Sequence, residues 1–530
     1  MPTYCVENFG CRATQADGAA LDRQFEQRGL NHARASEADF VVLNTCTVTA
    51  SADQDARAAI RRVQRQNPKA KIVVTGCYAQ RAPEEIAALP GVTCVVGNSH
   101  KDQLADLALN VAVAVTHPLT TDMSQGSFVP LASLRTDEAG SREPEAGRLY
   151  VSDIFAHTEL LAAPVFDVEG GTRAGQRTRP NLKVQDGCDN RCSFCVIPSV
   201  RGQSRSLPMK EVLLEVNALV AAGYREVVIS GINLGRWGRD LAGTGDSRLR
   251  ASGSRTLMRD ESHSPAPEDS IVRHASSEGF RKPEAGSRKP IFEDLIRAIL
   301  NETNLEKLRI SSVEPMDWSD DLIRLVADSP RIAKHAHVPL QSGSDAVLRR
   351  MHRKYRPWHY REKIEKIRAA MPAAAIGADV MVGFPGETEA EFEATRRLIE
   401  ELPFTYLHVF TYSARPGTPA AEMRNQVPVH VARGRNRILR DIGQDKKQKF
   451  MRSFVGQEVE AITLGSCCAS SHARDVMKPG HNEDDPVLHT EALTDNFLKL
   501  RVRGQREPNH WLKVLITAAD GDALVGEAIQ

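Results

Sequence analysis

Short apolar runs alternate along most of the chain with longer stretches whose apolar positions recur every three or four residues. In the first hundred residues FVVLN (40–44) is followed by the helix-like ADQDARAAIRRVQRQ, and KIVVTG (71–76) by APEEIAAL. Strand and helix in strict succession predict parallel strands joined by crossover helices. The rhythm fades over 101–180, where Pro, Gly, Ser and Thr are scattered, and this stretch reads as a linker with one hairpin around Tyr150 to Phe155.

A second series begins at LKVQDG (182–187) and continues with EVVISG (226–231), KLRISS (307–312), HAHVPLQ (335–341), IGADVMVGF (376–384) and YLHVFTYS (406–413). Amphipathic patterns such as MKEVLLEVNALVAAG, IFEDLIRAIL and EAEFEATRRLIEEL lie between them, so the six units predict an open or partial (β/α)6 barrel over 181–450. Thr388 and Glu391 fit a capping box and fix where the last of these helices starts. Residues 239–289 are rich in Ser, Arg, Gly, Pro and acidic residues and predict a disordered insertion on a loop. From 454 to 530 the short β-like runs QEVEAITLG, FLKLRVR, WLKVLITAA and ALVGEAI predict a small barrel of the oligonucleotide-binding type. The fold class is therefore α/β: a parallel-sheet domain over 1–100, a linker, the partial barrel, and a small β-barrel.

Composition narrows the setting. A chain of 530 residues with 41% hydrophobic content is long enough for about three domains, each with its own core. No run of eighteen apolar residues occurs, and the start MPTYCVENFGCRATQ lacks a secretory pattern, which predicts a cytoplasmic protein with no membrane partner. Net charge is +1, so a nucleic-acid partner has to be met by a local basic face. The segment ARGRNRILRDIGQDKKQKFMRSF (432–454) supplies one candidate, with Arg433, Arg435, Arg437, Arg440, Lys446, Lys447 and Lys449 on one predicted helix. A solvated helix face would read the same way.

The ten cysteines carry the chemistry. Clustered cysteines in a reducing compartment read as metal ligands or reactive thiols before disulfides. Cys188, Cys192 and Cys195 form C-x3-C-x2-C in KVQDGCDNRCSFCVIPSVRG, just after a predicted strand. Three thiolates so close can hold three irons of a [4Fe–4S] cube and leave the fourth open, whereas a structural zinc site wants a fourth ligand that does not follow nearby. Cys11, Cys46 and Cys77 stand in NFGCRATQ, LNTCTVTA and VTGCYAQR. Each follows the C-terminal end of a predicted strand, and such ends share one sheet edge, so the three can converge on a second cluster. The alternative is three inert core thiols.

Cys5 and Cys94 read as core or near-surface thiols, and Cys467, Cys468, His472, His481 and His489 lie in a polar loop interrupting the tail domain. Gly231 and Asn233 in GINLGRWG suggest close approach of backbone to a cofactor. Arg201 and Arg205 either meet phosphate or cap the cysteine loop, and Asp379 and Glu387 either orient a cofactor or serve the fold.

At C-x3-C-x2-C, with Phe194 before the last cysteine, the chain resembles the radical S-adenosylmethionine superfamily. That resemblance implies that S-adenosylmethionine chelates the open iron held by Cys188, Cys192 and Cys195, near Gly231 and Asn233, and is cleaved to a 5′-deoxyadenosyl radical. A three-cysteine α/β domain joined to such a barrel resembles the methylthiotransferases. Further resemblance lies in HVPLQSGSDAVLRRMHRKY (337–355), DVMVGFPGETEAEF (379–392), FTYSARPGTPAAEM (410–423) and the small RNA-binding TRAM (OB-like) barrel. The family implies two [4Fe–4S] clusters, the second on Cys11, Cys46 and Cys77, and an electron donor such as flavodoxin or ferredoxin.

PLQSGS (339–344) looks like the branches that act on tRNA, and GCRATQAD with LKVQDGC looks like the threonylcarbamoyladenosine branch. The implied reaction is hydrogen abstraction at C2 of the adenine beside the tRNA anticodon (position 37), followed by sulfur insertion and methylation from a second S-adenosylmethionine. An anticodon loop can splay that base into the barrel. Alternatives are the isopentenyladenosine or ribosomal-protein enzymes and, in another class, a non-catalytic RNA-binding protein stabilised by a metal.

Overall fold

A computed structural model of the chain describes residues 1–116, 148–156, 178–241, 289–465 and 489–529. The predicted insertion falls almost wholly outside the described residues, as do Cys467, Cys468, His472 and His481.

The N-terminal sheet comprises β1 (Thr3–Asn8), β2 (Asn31–His32), β3 (Phe40–Thr45), β4 (Lys71–Gly76), β5 (Val92–Val96) and β6 (Arg148–Tyr150), in the order β2-β1-β3-β4-β5-β6. Every pairing is parallel. The strands are apolar on both sides because helices cover both sides. Ala56, Ile60 and Val63 of the helix Ala50–Gln66 pack on Val41, Leu43 and Val74, while Leu21 and Phe25 of the helix Arg12–Glu26 pack with Leu104 on Phe40, Val42 and Val73.

The expected linker needs correction. Leu104–Thr116 is a helix packed on this sheet, and among the described residues Tyr150 is in no hairpin: β6 pairs parallel to β5, and the chain then turns through one 3-10 segment at Ile154–Ala156.

The central unit has β7 (Asn181–Asp186), β8 (Arg205–Ser206), β9 (Glu226–Gly231), β10 (Lys307–Ile310), β11 (His335–His337), β12 (Ala375–Val382) and β13 (Tyr406–Thr411). Its sheets run β8-β7-β9-β10 and β11-β12-β13, linked by the parallel bridge Leu308–Ile332 and by Val313 N–H donating to the His337 carbonyl at 3.1 Å. Six parallel strands make the expected partial barrel, and β8 is an unforeseen two-residue antiparallel edge. Along β11 and β12 side chains alternate: Ala336, Val338, Ile376, Ala378 and Val380 join the core under the helices, which turns His335, His337 and Asp379 to the lumen. The capping box is present at Thr388 and Glu391.

The tail strands β14 (Glu458–Thr463), β15 (His489–Thr494), β16 (Lys499–Arg503), β17 (Trp511–Asp520) and β18 (Ala523–Ala528) close into a barrel in the order β14-β15-β16-β18-β17. The helix Val429–Arg452 enters it, with Met451 in the barrel's core. Among the described residues no helix is long and apolar enough to cross a membrane.

A buried ionic network fastens the first domain to the central barrel. Asp17, on the helix Arg12–Glu26, bonds Lys183 of β7, Arg201 at 2.9 Å and Lys101 at 3.0 Å; Asp186 bonds Lys183 at 2.8 Å and Arg201 at 3.0 Å. All five are nearly inaccessible, so the phosphate-binding reading of Arg201 is wrong: its guanidinium faces two carboxylates, not solvent. Burial alone would raise both carboxyls, but the cations beside Asp17 and Asp186 hold them below the usual carboxylate range.

Carboxyls lowered in the folded state stabilise it fully at neutral pH and lose that contribution only as pH falls below the unfolded value of about 3.9. The junction is therefore expected to keep its full contribution down to about pH 4 and to weaken progressively as pH falls further, as near-ultraviolet circular dichroism against pH would show. Asp17→Asn leaves three cations facing one carboxylate, and equilibrium denaturation is expected to show a loss of about 3–5 kcal/mol.

Candidate active site

Cys11, Cys46 and Cys77 follow β1, β3 and β4, which are neighbours in the sheet, so their loops emerge side by side at the C-terminal edge. Gly10 makes the approach possible: its φ is +113°, and a Cβ there would lie 2.5 Å from Cys46 Cβ. Gly76, at φ +100°, likewise has no room for a side chain against the Thr45 carbonyl. Cys46 and Cys77 are buried and Cys11 is exposed. Burial, with Cys77 and Cys11 beside it, pushes the Cys46 thiol up to about 12.

The second triad sits on the loop after β7. The Cys195 amide donates to the Cys192 carbonyl at 3.1 Å, a tight turn between the last two cysteines of the loop. Cys188 Sγ accepts from Asn190 N–H at 3.4 Å and lies 3.7 Å from Asn233 Nδ2, and Cys192 Sγ lies 3.3 Å from Arg353 Nη1. Burial pushes the Cys195 thiol up to about 12 and raises Cys188.

These donor sets fit iron–sulfur clusters. Each offers three sulfurs with an incomplete tetrahedral complement, and N–H groups point at the sulfurs, as they do around clusters whose charge they balance. Bare thiols buried in this way stay protonated near neutrality, whereas a cationic iron core takes them as thiolates. On the first triad Val48 N–H lies 3.5 Å from Cys46 Sγ and Asn98 Nδ2 3.6 Å from Cys77 Sγ.

One short segment joins the two triads. Val196 and Val200, directly after Cys195, pack with Cys77 in a small cluster of their own. Asn98, which reaches Cys77, also donates to the Val200 carbonyl at 2.7 Å. Arg201 ends the same segment, and Asp186, Cys77, Asp17 and Cys11 all favour its charged form. The ionic network thus lies against the back of the first triad, and its three cations outnumber its two carboxylates by one. That surplus suits a site of three thiolates.

Asn233 sits at the Cys188 loop, and its buried Oδ1 has no hydrogen-bond partner among the described residues. Gly231 reads differently from its sequence expectation: a Cβ there would lie 2.8 Å from Gln185 Oε1, so the space goes to Gln185. Gln185 in turn bonds the Gly187 carbonyl and the Asn233 amide, bracing the cysteine loop. Glu387 serves the fold, accepting from Gly383 N–H at 2.6 Å and Arg435 at 2.8 Å. Cys5 and Cys94 are core residues, and His489 begins β15.

Three further residues take roles that nothing in their own motifs marks. Arg353 reaches Cys192 and pairs with Glu314. Arg415, in SARPGT after β13, crosses to the first domain, where it meets Asp53 at 3.0 Å and donates to the Thr47 carbonyl at 3.1 Å, one residue from Cys46. Phe497, held at φ +70° in a turn of the tail barrel, inserts beside His335 at 4.6 Å and Tyr406 at 6.0 Å, between the Arg12 and Arg309 guanidiniums. A usable signal existed for the cysteines: Gly-Cys recurs in FGC, TGC and DGC, at Gly10, Gly76 and Gly187, all with positive φ.

A cavity of about 790 Å³ opens between β13, the helix Val429–Arg452 and the tail barrel, lined in part by Arg179, His408, Arg440, Lys447, Phe497 and Arg501. The predicted basic helix is corrected in two places. Arg435 is buried against Glu387 and Glu389, and Lys446 caps the carbonyls of Glu400 and Leu402. Arg433, Arg437 and Arg440 remain exposed, at a spacing that puts them on one face leading to the cavity.

Arg415→Ala strips Asp53 of one of its two guanidinium partners and frees Thr47 beside Cys46. The expected cost is about 1–3 kcal/mol, read as a lower first thermal transition and faster proteolysis between the first two domains.

Residues 3–97 match the family described as Uncharacterized protein family UPF0004, and residues 266–399 match the Radical SAM superfamily, the latter match beginning beyond the Cys188 triad. The chain is 31% identical over 508 residues to the threonylcarbamoyladenosine tRNA methylthiotransferase MtaB of Bacillus subtilis, spanning 96% of this chain and 92% of the relative. It is 31% identical over 465 residues to the tRNA-2-methylthio-N(6)-dimethylallyladenosine synthase of Thermobifida fusca, spanning 87% and 77%. The radical S-adenosylmethionine methyltransferase TsrM of Kitasatospora setae superposes with a TM-score of 0.50 at 14% identity, over 79% of this chain and 77% of that one, which shows a shared fold. With both domain families present and a full-length relative of this identity, the chain belongs to the radical S-adenosylmethionine methylthiotransferase family and is an enzyme that uses S-adenosylmethionine and a [4Fe–4S] cluster.

Proposed function

We propose that the chain converts N6-threonylcarbamoyladenosine at tRNA position 37 to its 2-methylthio derivative, with clusters on both cysteine triads. The observation that carries the reading is the packing of Cys77 against Val196 and Val200, which sets the two thiol groups on either side of one short segment. A sulfur-bearing centre and a radical-generating centre have to serve one substrate atom, and adjacency meets that need.

Cys188, Cys192 and Cys195 would hold the cluster that takes up S-adenosylmethionine, which would supply the radical, and Cys11, Cys46 and Cys77 would hold the cluster that would supply the sulfur. The chain's own residues position these centres. Gln185 and Asn233 brace the Cys188 loop, Arg353 sets a positive hydrogen-bond donor on Cys192, and Phe194 packs edge-on against Phe384 under the loop. Threonylcarbamoyl rather than dimethylallyl is supported by the relatives. The Bacillus subtilis relative named for that substrate spans nearly the whole chain. We assign the Arg433, Arg437 and Arg440 face and the adjoining cavity to the anticodon stem-loop, the work to the cytoplasm, and the electron to a reduced flavodoxin or ferredoxin.

Iron and sulfide analysis after anaerobic reconstitution is expected to give about eight irons per chain, and about four in either Cys46→Ala or Cys188→Ala. Unchanged iron in Cys46→Ala would remove the second cluster from the account. Nucleoside mass spectrometry of tRNA from a host lacking both tRNA enzymes but expressing this chain is expected to show methylthiolated threonylcarbamoyladenosine; methylthiolated isopentenyladenosine instead would reassign the substrate. Replacing Arg433, Arg437 and Arg440 with Gln is expected to weaken tRNA binding and to lower the slope of log K against log salt by up to about 2–3, since each of the three cations can neutralise one phosphate.

A further inference from the structure

The lumen of the central barrel holds a cluster that neither cysteine triad explains. His337 of β11, Asp379 of β12 and His408 of β13 come from three consecutive parallel strands, and one ligand atom from each lies within 4.8 Å of the other two. We propose that these three residues bind a divalent transition-metal ion, separate from the iron–sulfur sites.

The distances fit a shared ion as well as the long hydrogen bond that His408 makes to Asp379. His337 Nε2 lies 3.3 Å and His408 Nδ1 3.2 Å from the same oxygen, Asp379 Oδ1. Charge-assisted N–H···O bonds run at about 2.7–2.9 Å. Donors held about 2.0–2.2 Å from one ion at tetrahedral angles stand about 3.4 Å apart.

The outer contacts point the same way. Ser312 Oγ holds His337 Nδ1 at 2.6 Å, which fixes the ring and leaves Nε2 as the atom that faces the cluster. That Nε2 is buried and makes no hydrogen bond of proper angle among the described residues. Tyr406 stacks on His337 at 6.0 Å and completes the wall behind it.

Ligand type selects the ion. Two imidazoles and one carboxylate suit Zn²⁺, Fe²⁺ or Co²⁺ better than Mg²⁺ or Ca²⁺, which prefer oxygen throughout. Three protein donors leave at least one position open, and it opens on the side of His408, whose side chain is 52% exposed and lines the cavity beside the tail barrel. An ion there takes an oxygen or nitrogen donor arriving through that cavity.

The test uses the full-length protein, reconstituted anaerobically so that iron fills the cysteine sites, desalted, and titrated with zinc chloride by calorimetry with metal analysis of the gel-filtered product. The wild type is expected to take up one zinc per chain with its iron unchanged. His408→Ala, a half-exposed position whose loss the fold tolerates, is expected to lower zinc affinity at least 100-fold at unchanged iron content, and Asp379→Asn to do the same. Zinc uptake equal in wild type and His408→Ala, or none in the wild type, would overturn the proposal and leave the three residues a hydrogen-bonded wall. Because iron content is read in parallel, failure of the zinc site and failure of the two-cluster reading give different results.

Discussion

The placement of every reactive group depends on one buried electrostatic constraint. Lys101, Lys183 and Arg201 cannot be taken from water without partners, and their partners are Asp17 from the first domain and Asp186 from the barrel. The barrel alone would set two cations on the single carboxylate of Asp186. Docked, the two domains satisfy one another, and the docking fixes the edge of the N-terminal sheet against the loop that follows β7. Removing one member costs far more than the network adds over an apolar junction, so its advantage lies in geometric definition as much as in stability.

From that constraint the rest of the site follows in short steps. Arg201 is anchored at the end of the segment Ile197–Arg201, so Val196 and Val200 are presented to Cys77. On the opposite side of the junction Arg415 ties the loop after β13 to Thr47 and Asp53, so the Cys46 loop is held from the barrel as well. The tail barrel is docked by comparable means: Phe497 enters beside His335 and Tyr406, and Asn496 donates to the Ala373 carbonyl at 2.9 Å. Three separately cored units therefore converge on the lumen, and the cavity beside His408 is the space left between two of them.

The sequence made the strongly periodic elements legible. Runs such as FVVLN and EVVISG are apolar because both sides of their sheets are covered, and burial of that kind is written directly into composition. The grouping of six cysteines by strand ends was legible for the same reason. What escaped depends on contacts distant in sequence. Strands of two or three residues, such as β6 and β8, carry no periodicity to detect, and β6 therefore reads in sequence as half of a hairpin. Arg435, Lys446 and Arg201 look like solvent-facing cations in one dimension; only the packed structure shows the carboxylates or carbonyls that claim them. Phe497 sits in a polar turn, where nothing local marks an aromatic ring that plugs another domain.

The junction is proposed to hold two iron–sulfur centres close enough to act on one atom. The most direct measurement is electron paramagnetic resonance of the dithionite-reduced, reconstituted protein beside Cys46→Ala and Cys188→Ala. The expected wild-type spectrum is broadened by magnetic coupling between two reduced clusters, with each variant giving one uncoupled signal. A wild-type spectrum equal to the plain sum of the two variant spectra would contradict it, because clusters seated on either side of the Val196–Val200 segment cannot avoid each other's magnetic field.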